Sequence, residues 1–396
     1  MEPMKIRQIS ADERPTLAVP LQAYAFQGTP LPPDALAPSP QTQRYLDGNV
    51  TLVAEDEGAA MAVVSSIPMR QNVRGTVLPM AGIASVATHP LARRRGYVRA
   101  LLTDLLGRVR DDGHAVSTLY PFRSSFYERF GYAGLPKRRT ATFAPADLAR
   151  LLRADLAGDL TVERIGGGYP VYREFTLRLL ERWHGFAVFP DHRAEQLRDA
   201  DDRWLVTARV HGEVVGAAPY RITAHAEDLV ADHLLTTGAH GRALLLRFFA
   251  RHVDQVRRIR VTVGADELPE LWATDLATDV ESHTAFPDSA PPMARVLALD
   301  ALAGMAVGPG RAAVEILDDP FVAGRYVLDG RSGLLEVAPG GDAAATLTVP
   351  ALSGLVYGVL DPDDIVVRGL GTVPPDAAGQ LRGMFPRRTP YVFSAF

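Results

Sequence analysis

An arginine-rich turn with a single glycine, residues 93–96, stands between an apolar stretch and a helical pattern. The first N–H groups of a helix have no partner within the helix, so they form a natural binding site for an anion such as a pyrophosphate. Gly96 lets the backbone approach such a group closely, and Arg93, Arg94 and Arg95 add positive charge. The same residues would suit a solvated basic patch, so the turn alone leaves both interpretations open.

Two neighbouring segments favour the anion site. The apolar stretch before the turn ends in Val86-Ala87-Thr88. An unpaired strand edge there would hydrogen-bond an extended amide chain such as a pantetheine arm. Further along, residues 122–132 read Phe-Arg-Ser-Ser-Phe-Tyr-Glu-Arg-Phe-Gly-Tyr, a concentration of aromatic and basic side chains.

Hydrophobic periodicity places the turn inside a strand–helix–strand unit. Residues 51–55 and 60–67 are apolar runs split by Asp56-Glu57-Gly58, which predicts a hairpin, and residues 81–88 predict a third strand. A helix closed by Gly113 follows, and residues 116–120 predict the next strand. The helix shows one apolar face, formed by Val98, Leu101, Leu102, Leu105, Leu106 and Val109. A unit of this kind makes a parallel strand pair.

The pattern repeats weakly after the polar stretch at residues 136–139. Residues 204–210 and 213–222 predict a hairpin, followed by a strand near 229–235, a helix and a strand at 259–263. Residues 237–242 (Thr-Gly-Ala-His-Gly-Arg) replace the arginine-rich turn, which indicates a copy that lost or never had the anion site. Chance similarity is the alternative.

A linker at residues 286–292 introduces a third segment. Short strands at 312–317, 325–328, 333–337 and 345–349, with helices from Pro350 and about Asp376, indicate an α+β pattern. Residues 343–360 carry no charge, but their Pro, Ser and Gly residues favour a strand, a turn and a helix over a membrane span. We therefore expect domains at residues 1–139, 140–288 and 289–396, with α/β and α+β folds.

Composition excludes several classes of function. The 396 residues carry a net charge of −4, which argues against a nucleic-acid partner, and the absence of cysteine removes disulfides, thiolate zinc sites and Cys nucleophiles. No histidine shows metal-ligand spacing, so we expect no metal. Residues 1–15 are polar rather than a signal peptide, so we expect a cytoplasmic protein without a membrane span.

The quoted motifs resemble those of the GNAT acetyltransferases, and in particular of the enhanced intracellular survival (Eis) family. The resemblance rests on residues 86–88 (Val-Ala-Thr), 93–96 (Arg-Arg-Arg-Gly), 119–121 (Leu-Tyr-Pro) and 126–132 (Phe-Tyr-Glu-Arg-Phe-Gly-Tyr). It implies two tandem GNAT-like domains, the first active and the second degenerate, and a C-terminal sterol-carrier-protein-like domain. It also implies acetyl-CoA as co-substrate, an amine acceptor and a homo-hexamer.

The resemblance also implies roles for individual residues. The strand and turn that bind acetyl-CoA match Val86, Ala87, Thr88, Arg94, Arg95, Gly96, Tyr97, Val98 and Arg99, with further contacts from Phe122 and Arg123. Tyr127 matches the proton donor to the coenzyme A thiolate. Phe396 matches a final aromatic residue whose α-carboxylate accepts the proton of the amine. A core role for Tyr127 and a packing role for Phe396 are the simpler alternatives.

Direct attack of an amine on a thioester needs a polarised carbonyl, a neutral amine and a protonated leaving group. An α-carboxyl group has a reference pKa of about 3.5, so burial or a bridging water must help it as a base. An acidic residue precedes the final aromatic in family members that bind polycationic aminoglycosides, and Ala395 stands here, which puts that preference in doubt.

These features predict an N-acetyltransferase that acts by direct transfer in a ternary complex. The acceptor is an aminoglycoside-like small molecule, another amine, or a lysine side chain of a protein. The alternative classes are a lipid carrier with scaffolding N-terminal domains and a regulatory protein that binds the co-substrate without turnover.

Overall fold

The structure, a computed structural model, describes residues 4–30 and 39–396. The first three residues of the polar N-terminal stretch, and residues 31–38, lie outside this part. The strands are β1 Lys5–Gln8, β2 Val50–Asp56, β3 Ala59–Val73, β4 Thr76–Thr88, β5 Val116–Leu119, β6 Ala133–Gly134, β7 Arg139–Phe143, β8 Asp159–Arg164, β9 Ala187–Val188, β10 Trp204–Val210, β11 Glu213–Ile222, β12 Asp228–Ala231, β13 Leu235–Thr236, β14 Arg258–Val263, β15 Thr278–Glu281, β16 Met293–Val296, β17 Arg311–Ile316, β18 Gly324–Asp329, β19 Glu336–Pro339, β20 Ala345–Leu347 and β21 Gly371–Thr372. The helices are α1 Arg14–Leu17, α2 Val19–Phe26, α3 Pro40–Tyr45, α4 Tyr97–Asp111, α5 Ser124–Glu128, α6 Ala149–Leu152, α7 Ile165–Leu180, α8 Asp191–Ala194, α9 Gln196–Ala200, α10 Ala239–Ala250, α11 Val349–Val356, α12 Pro362–Val367 and α13 Pro375–Met384.

Most expected elements are confirmed, and the departures have local causes. The β2–β3 hairpin and the helix α4 lie where periodicity places them. β4 begins at Thr76 because a tight turn at Arg74-Gly75, both with positive φ, pairs it with β3 along its whole length. The strand expected at 333–337 lies at β19, and the one near 229–235 is split into β12 and β13. α12 and β16 are too short to show periodicity and were not anticipated.

The described residues pack into two compact units. The first combines those of Met1–Leu135 with Trp183–Arg193 and Phe286–Phe396, and the second combines Pro136–Arg182 with Ala194–Ala285. The domain boundaries expected at residues 139 and 288 concern the domains implied by the family resemblance, and they stay a prediction. Within the described residues, no helix is long and apolar enough to cross a membrane.

The first unit contains a twisted sheet in the order β1-β2-β3-β4-β5-β16-β6, with β9 beside β3. β4 and β5 are parallel, as the strand–helix–strand pattern predicts, and the other neighbours are antiparallel. The apolar face of α4, including Leu101 and Leu105, packs on one side of the sheet together with Ala81 and Ile83. α2 packs on the other side, where Leu21 clusters with Val63 and Ala87.

The C-terminal segment belongs to the first unit through its backbone and its core. β16 pairs with β5, Met293 lying opposite Leu119, and so extends the first sheet. A further sheet follows in the order β19-β18-β17-β20-β21. Its core is continuous with Met69 and Met80 of the first sheet, which cluster with Leu352 and Leu355 of α11.

The sheet of the second unit repeats the pairing senses of the first. Its order is β8-β10-β11-β12-β14-β7-β15, read from the edge that corresponds to β1. In both sheets three antiparallel pairs are followed by one parallel pair and two antiparallel pairs. This agreement argues against a chance repeat. At the start of α10, a Cβ on Gly241 would lie 2.3 Å from the Val215 carbonyl oxygen, so the helix packs closely on β11 there.

A buried histidine joins the β3–β4 turn to the C-terminal segment. His184, 4% exposed, accepts a hydrogen bond at Nδ1 from the Arg74 N–H (3.0 Å) and donates from Nε2 to the Tyr357 carbonyl oxygen (2.9 Å). Burial, the largest cause, lowers the pKa of His184 to about 4.

We expect this histidine to make the protein less stable in mild acid. An unfolded histidine binds a proton below pH ~6.5 whereas folded His184 does so only near 4, so the unfolded chain binds more protons between these values. The free energy of unfolding should therefore fall from pH 7 to pH 4, with His184 contributing on the order of 3 kcal/mol. Urea titrations of His184→Gln should show a shallower pH dependence, and His225→Gln, at an exposed position, should keep the original slope. Equal slopes for both variants would contradict this role.

Candidate active site

The site begins where β4 and β5 part. Their parallel pairing runs from Met80 opposite Val116 to Ile83 opposite Leu119, and within the described chain it goes no further. β4 continues to Thr88, so beyond Ile83 its β5-facing edge carries backbone N–H and C=O groups without a strand partner.

A bulge in β4 sharpens this parting. Ser65 pairs with Ala84 and Val63 pairs with Ala87, so two residues of β4 stand opposite one of β3. Ser85 within the bulge has φ +57, an unfavourable region for a non-glycine residue. The predicted pantetheine strand, Val86 to Thr88, is therefore the part of β4 beyond both the bulge and the last pair with β5.

The arginine-rich turn has the backbone geometry of an anion site. Arg94 (φ +65) and Gly96 (φ +88) turn the chain directly into α4. The first-turn N–H groups of Tyr97, Val98 and Arg99 find no acceptor among the described residues. A Cβ at Gly96 would meet no atom within 4 Å, so glycine is favoured there by the backbone conformation and leaves open space.

The side chains of the turn divide into paired and unpaired arginines. Arg95 binds the Asp56 carboxylate at 3.0 Å and lies over the Tyr97 ring, whose hydroxyl donates to the same oxygen at 2.6 Å. The Tyr97 hydrogen bond is the main cause that lowers the pKa of Asp56. Arg93, Arg94 and Arg99 are exposed, and none forms an ion pair within residues 4–30 and 39–396.

The sequence pattern places Asp56 in a hairpin turn and predicts no role for it in the site. It anchors the predicted binding residues Arg95 and Tyr97 by their side chains, which leaves their backbone N–H groups for a ligand. Sequence spacing does not reveal this role of Asp56, because Arg95 and Tyr97 lie 39 and 41 residues further along the chain.

A cavity of about 260 Å³ opens beside α4. Its lining comes from α4, from the segment after α5, from β16 and from the loop before β18, and comprises Arg99, Thr103, Leu106, Arg129, Phe130, Arg295, Asp318, Asp319, Pro320 and Phe321. Arg295 is buried and paired with Asp319 at 3.1 Å, whereas Arg129 is exposed and lies over the Phe126 ring. Apart from the Arg295–Asp319 pair, the lining carries Arg99 and Arg129 against Asp318, so its net charge is positive.

Tyr127 sits in an aromatic cluster on the α4 side of the sheet. Its ring is 3% exposed and lies 5.7 Å from the Phe122 ring and 6.2 Å from the Tyr132 ring. Its hydroxyl bonds no side chain or carbonyl in the part of the chain that the structure describes. Burial raises the pKa of Tyr127 and the neighbouring Tyr132 raises it further, so the phenol stays neutral. Phe122 is 45% exposed and Arg123 is exposed, both next to Tyr127 at the start of α5.

Phe396 lies on the opposite side of the sheet. A Cβ on Gly82 would come within 3.1 Å of the Phe396 ring, and the Tyr120 ring lies 5.6 Å away, edge to face. Because side chains alternate along a strand, Gly82 faces away from α4, on the face where Met69 points. The structure thus brings Tyr127 and Phe396 to the two faces of one strand, beside the parting from β5.

The C-terminal segment is held in place by polar and aromatic contacts. The Tyr120 hydroxyl donates to the Ser394 carbonyl oxygen (3.2 Å), and the Ser394 hydroxyl donates to the Ala187 carbonyl oxygen (2.9 Å). The Phe393 ring stacks on the Phe186 ring at 4.5 Å. Ala395 is exposed.

The described residues contain no group of His, Asp and Glu arranged to hold a metal ion.

Comparisons with known proteins show which proteins this chain is similar to. The family model of the acetyltransferase (GNAT) domain matches residues 5–134. The N-acetyltransferase Eis of Mycobacterium tuberculosis is 39% identical over 90 residues, which is 22% of this chain and 22% of that protein. The match thus spans about a fifth of the length of these curated relatives. An uncharacterized N-acetyltransferase of Streptomyces avermitilis is 25% identical over 83% of both chains.

Solved structures show the same fold over the whole chain. Eis1 from Mycobacterium abscessus superposes over 100% of both chains with a TM-score of 0.80 at 20% identity. A GCN5-related N-acetyltransferase from Kribbella flavida covers 100% of this chain and 98% of its own, with a TM-score of 0.82 at 21% identity. Residues 5–134 therefore match the GNAT acetyltransferase domain within a mixed α/β chain, and a 90-residue part of the chain is similar to the Eis N-acetyltransferases.

Proposed function

We propose that this chain transfers the acetyl group of acetyl-CoA directly to a primary amine, with both substrates bound together. The observation that carries the proposal is the coincidence of three features at one strand. These are the unpaired edge of β4 after Ile83, the N–H groups at the start of α4, and Tyr127 and Phe396 on the two faces.

The backbone and the charges suit the two ends of acetyl-CoA. The edge at Val86 to Thr88 supplies amide groups for the pantetheine arm, and the start of α4 supplies N–H groups for the pyrophosphate. Arg94 and Arg99 add unpaired charge beside those N–H groups, and Arg129 extends the basic surface along the cavity.

The transfer itself makes one bond and breaks one. The amine nitrogen attacks the thioester carbonyl carbon, the C–S bond breaks, and a backbone N–H of β4 past the bulge stabilises charge on the carbonyl oxygen. Tyr127 faces the leaving sulfur from the α4 side. A thiol has a reference pKa of about 8.5, well below the raised pKa of Tyr127, so its phenol stabilises the thiolate as a hydrogen-bond donor more readily than it surrenders its proton. The α-carboxylate of Phe396 takes the amine proton, directly or through a water.

The phosphate turn is tested by a pair of glycines at the two ends of α4. Gly96 and Gly113 have φ +88 and +89, and a Cβ at either would meet nothing within 4 Å. Alanine at either position should cost about 1–2 kcal/mol of stability from the left-handed backbone. Only Gly96→Ala should also weaken acetyl-CoA binding, by about tenfold, because it displaces the N–H groups at the start of α4. Titration calorimetry measures this, and equal affinities of the two variants would remove the turn from the binding site.

The role of Tyr127 is tested against its neighbour Tyr132. Tyr127→Phe should lower kcat about 10²-fold and leave acetyl-CoA affinity nearly unchanged, because it removes one donor to developing charge. Tyr132→Phe removes the hydroxyl that bonds Ser117 at 2.7 Å, so it should reduce stability with little effect on kcat. Release of free thiol is the readout. An unchanged kcat in Tyr127→Phe would assign Tyr127 to packing alone.

The role of the terminal carboxylate is tested by extension of the chain. One glycine added after Phe396 displaces the carboxylate, and we expect kcat to fall at least tenfold while acetyl-CoA affinity persists. Phe396→Leu keeps the carboxylate but loses the contacts with Gly82 and Tyr120, so its loss should be smaller. Full activity of the extended chain would refute the role.

Two measurements separate this function from the other classes. A thermal-shift titration should show stabilisation by acetyl-CoA and not by a fatty acid or sterol, the reverse of the result for a lipid carrier. A panel of amines with thiol release should then show turnover. Stabilisation without turnover on any amine would identify a regulatory protein instead.

A further inference from the structure

The acceptor face of the sheet carries an aromatic wall. Phe189 follows β9, which pairs with β3 at Arg70 and Gln71, and the Gln71 amide donates to the Gly185 carbonyl oxygen at 2.9 Å. These bonds fix the segment before Phe189, whose ring lies 6.2 Å from that of Phe396, edge to face. Together with Tyr120, it forms an apolar surface around the end of the chain.

Arg193 places a cation on this wall. Its guanidinium carbon lies 4.9 Å from the centroid of the Phe189 ring. The Phe189 ring therefore contacts both the Arg193 guanidinium and the Phe396 ring. The Arg193 side chain is only partly exposed to water.

Arg193 differs from other partly or fully buried arginines of the first unit in having no partner. No carboxylate or carbonyl of the described residues bonds its guanidinium, and burial alone lowers the pKa of Arg193, with no neighbouring charge contributing. Arg295 is paired with Asp319, and Arg74 donates to three carbonyl oxygens. A partly desolvated guanidinium without an anion is unfavourable by itself, and its planar fork fits a carboxylate with two parallel hydrogen bonds.

We infer that the acceptor is an amine that also carries a carboxylate and a flat apolar group, with Arg193 binding the carboxylate. The apolar group packs on Phe189 and Tyr120, and the amine points to the end of β4. This inference names the acceptor of the acetyl transfer proposed above and rests on it. The residue before Phe396 is Ala395 and not an acidic residue, which agrees with an acceptor that is not a polycation.

The test compares pairs of amines that differ only by a carboxylate. L-phenylalanine against phenethylamine, and 4-(aminomethyl)benzoate against benzylamine, cover a short and a longer spacing between the two groups. In at least one pair, the native protein should show a kcat/KM at least tenfold higher for the amine that carries a carboxylate than for the amine without it. The kcat/KM for that carboxylated amine should also be higher than the values for spermine and kanamycin. In Arg193→Gln the advantage should vanish, and Arg193→Lys should recover part of it, since an ammonium keeps the charge but not the fork.

Arg164→Gln is the matched control. Its guanidinium also lies over an aromatic ring, that of Trp204, but is paired with Asp201 in the second unit. We expect the preference for the carboxylate to be unchanged in this variant. A preference that survives in Arg193→Gln, or turnover of polyamines only, would overturn the inference while acetyl transfer stands.

Binding gives a second readout that does not need turnover. Titration calorimetry of the preferred carboxylated amine, with coenzyme A present, should give at least tenfold weaker binding to Arg193→Gln than to the native protein. If no amine in the panel releases thiol, the acetyl-transfer proposal fails. Calorimetry still decides whether Arg193 holds a carboxylate, and equal binding to both proteins would reject it.

Discussion

The parting of two parallel strands is the constraint around which the first unit is built. β4 and β5 share hydrogen bonds only as far as Ile83 and Leu119, and the bulge at Ser85 turns the rest of β4 away. β5 is paired along its whole length and ends at Leu119, whereas β4 continues to Thr88, so the β5-facing backbone groups of β4 beyond Ile83 must be satisfied by water or by a ligand. In the proposed reaction, a thioester bound from the α4 side meets an amine from the other face of the sheet at this parting.

β4 and the C-terminal segment share one anchor. The β3–β4 turn inserts Arg74 into the C-terminal segment, where it donates to the Leu355, Val356 and Pro386 carbonyl oxygens. Two of these carbonyls end α11, where the helix dipole favours a cation. Burial lowers the pKa of Arg74 to about 10, and three charge-assisted hydrogen bonds compensate the cost of desolvation. The position of Phe396 against Gly82 therefore depends on the same hairpin that carries the reactive edge.

Sequence periodicity predicts the elements of the site better than their junctions. The spacing of Leu101 to Val109 fixes α4, and the glycine after three arginines marks its start, because both are local properties of the chain. The bulge at Ser85 has no local signature, since a serine with positive φ is held by pairing with β3 and not by its own preference. β16 escaped prediction for a similar reason: four residues after a proline-rich linker become a strand only because β5 offers an edge.

The site residues divide in the same way. Tyr127 and Phe396 were identified by resemblance, and the structure places them on opposite faces of β4, a relation that sequence distance hides. Asp56 and Arg193 were missed, because their importance lies in which partners they have in space. Arg95 is part of the arginine-rich turn in the sequence, but its guanidinium is paired with Asp56 in the structure.

Whether a guanidinium group is already bonded within the protein, more than the number of basic residues, indicates which arginines are available to bind a ligand. Arg74, Arg95 and Arg295 all have their hydrogen-bonding groups engaged by carbonyls or carboxylates, so their charge is used inside the protein. The exposed arginines of the turn and the partly buried Arg193 are not engaged within the described residues. Exposed cations remain hydrated at little cost, which suits the proposed binding of a mobile, highly charged pyrophosphate at the turn. Arg193 has lost part of its water and gained only an aromatic face, which makes a single well-placed anion worth more there than at the turn. In the proposed reaction, the two faces of β4 thus attract anionic groups by different means, and the acceptor side is the more selective of the two.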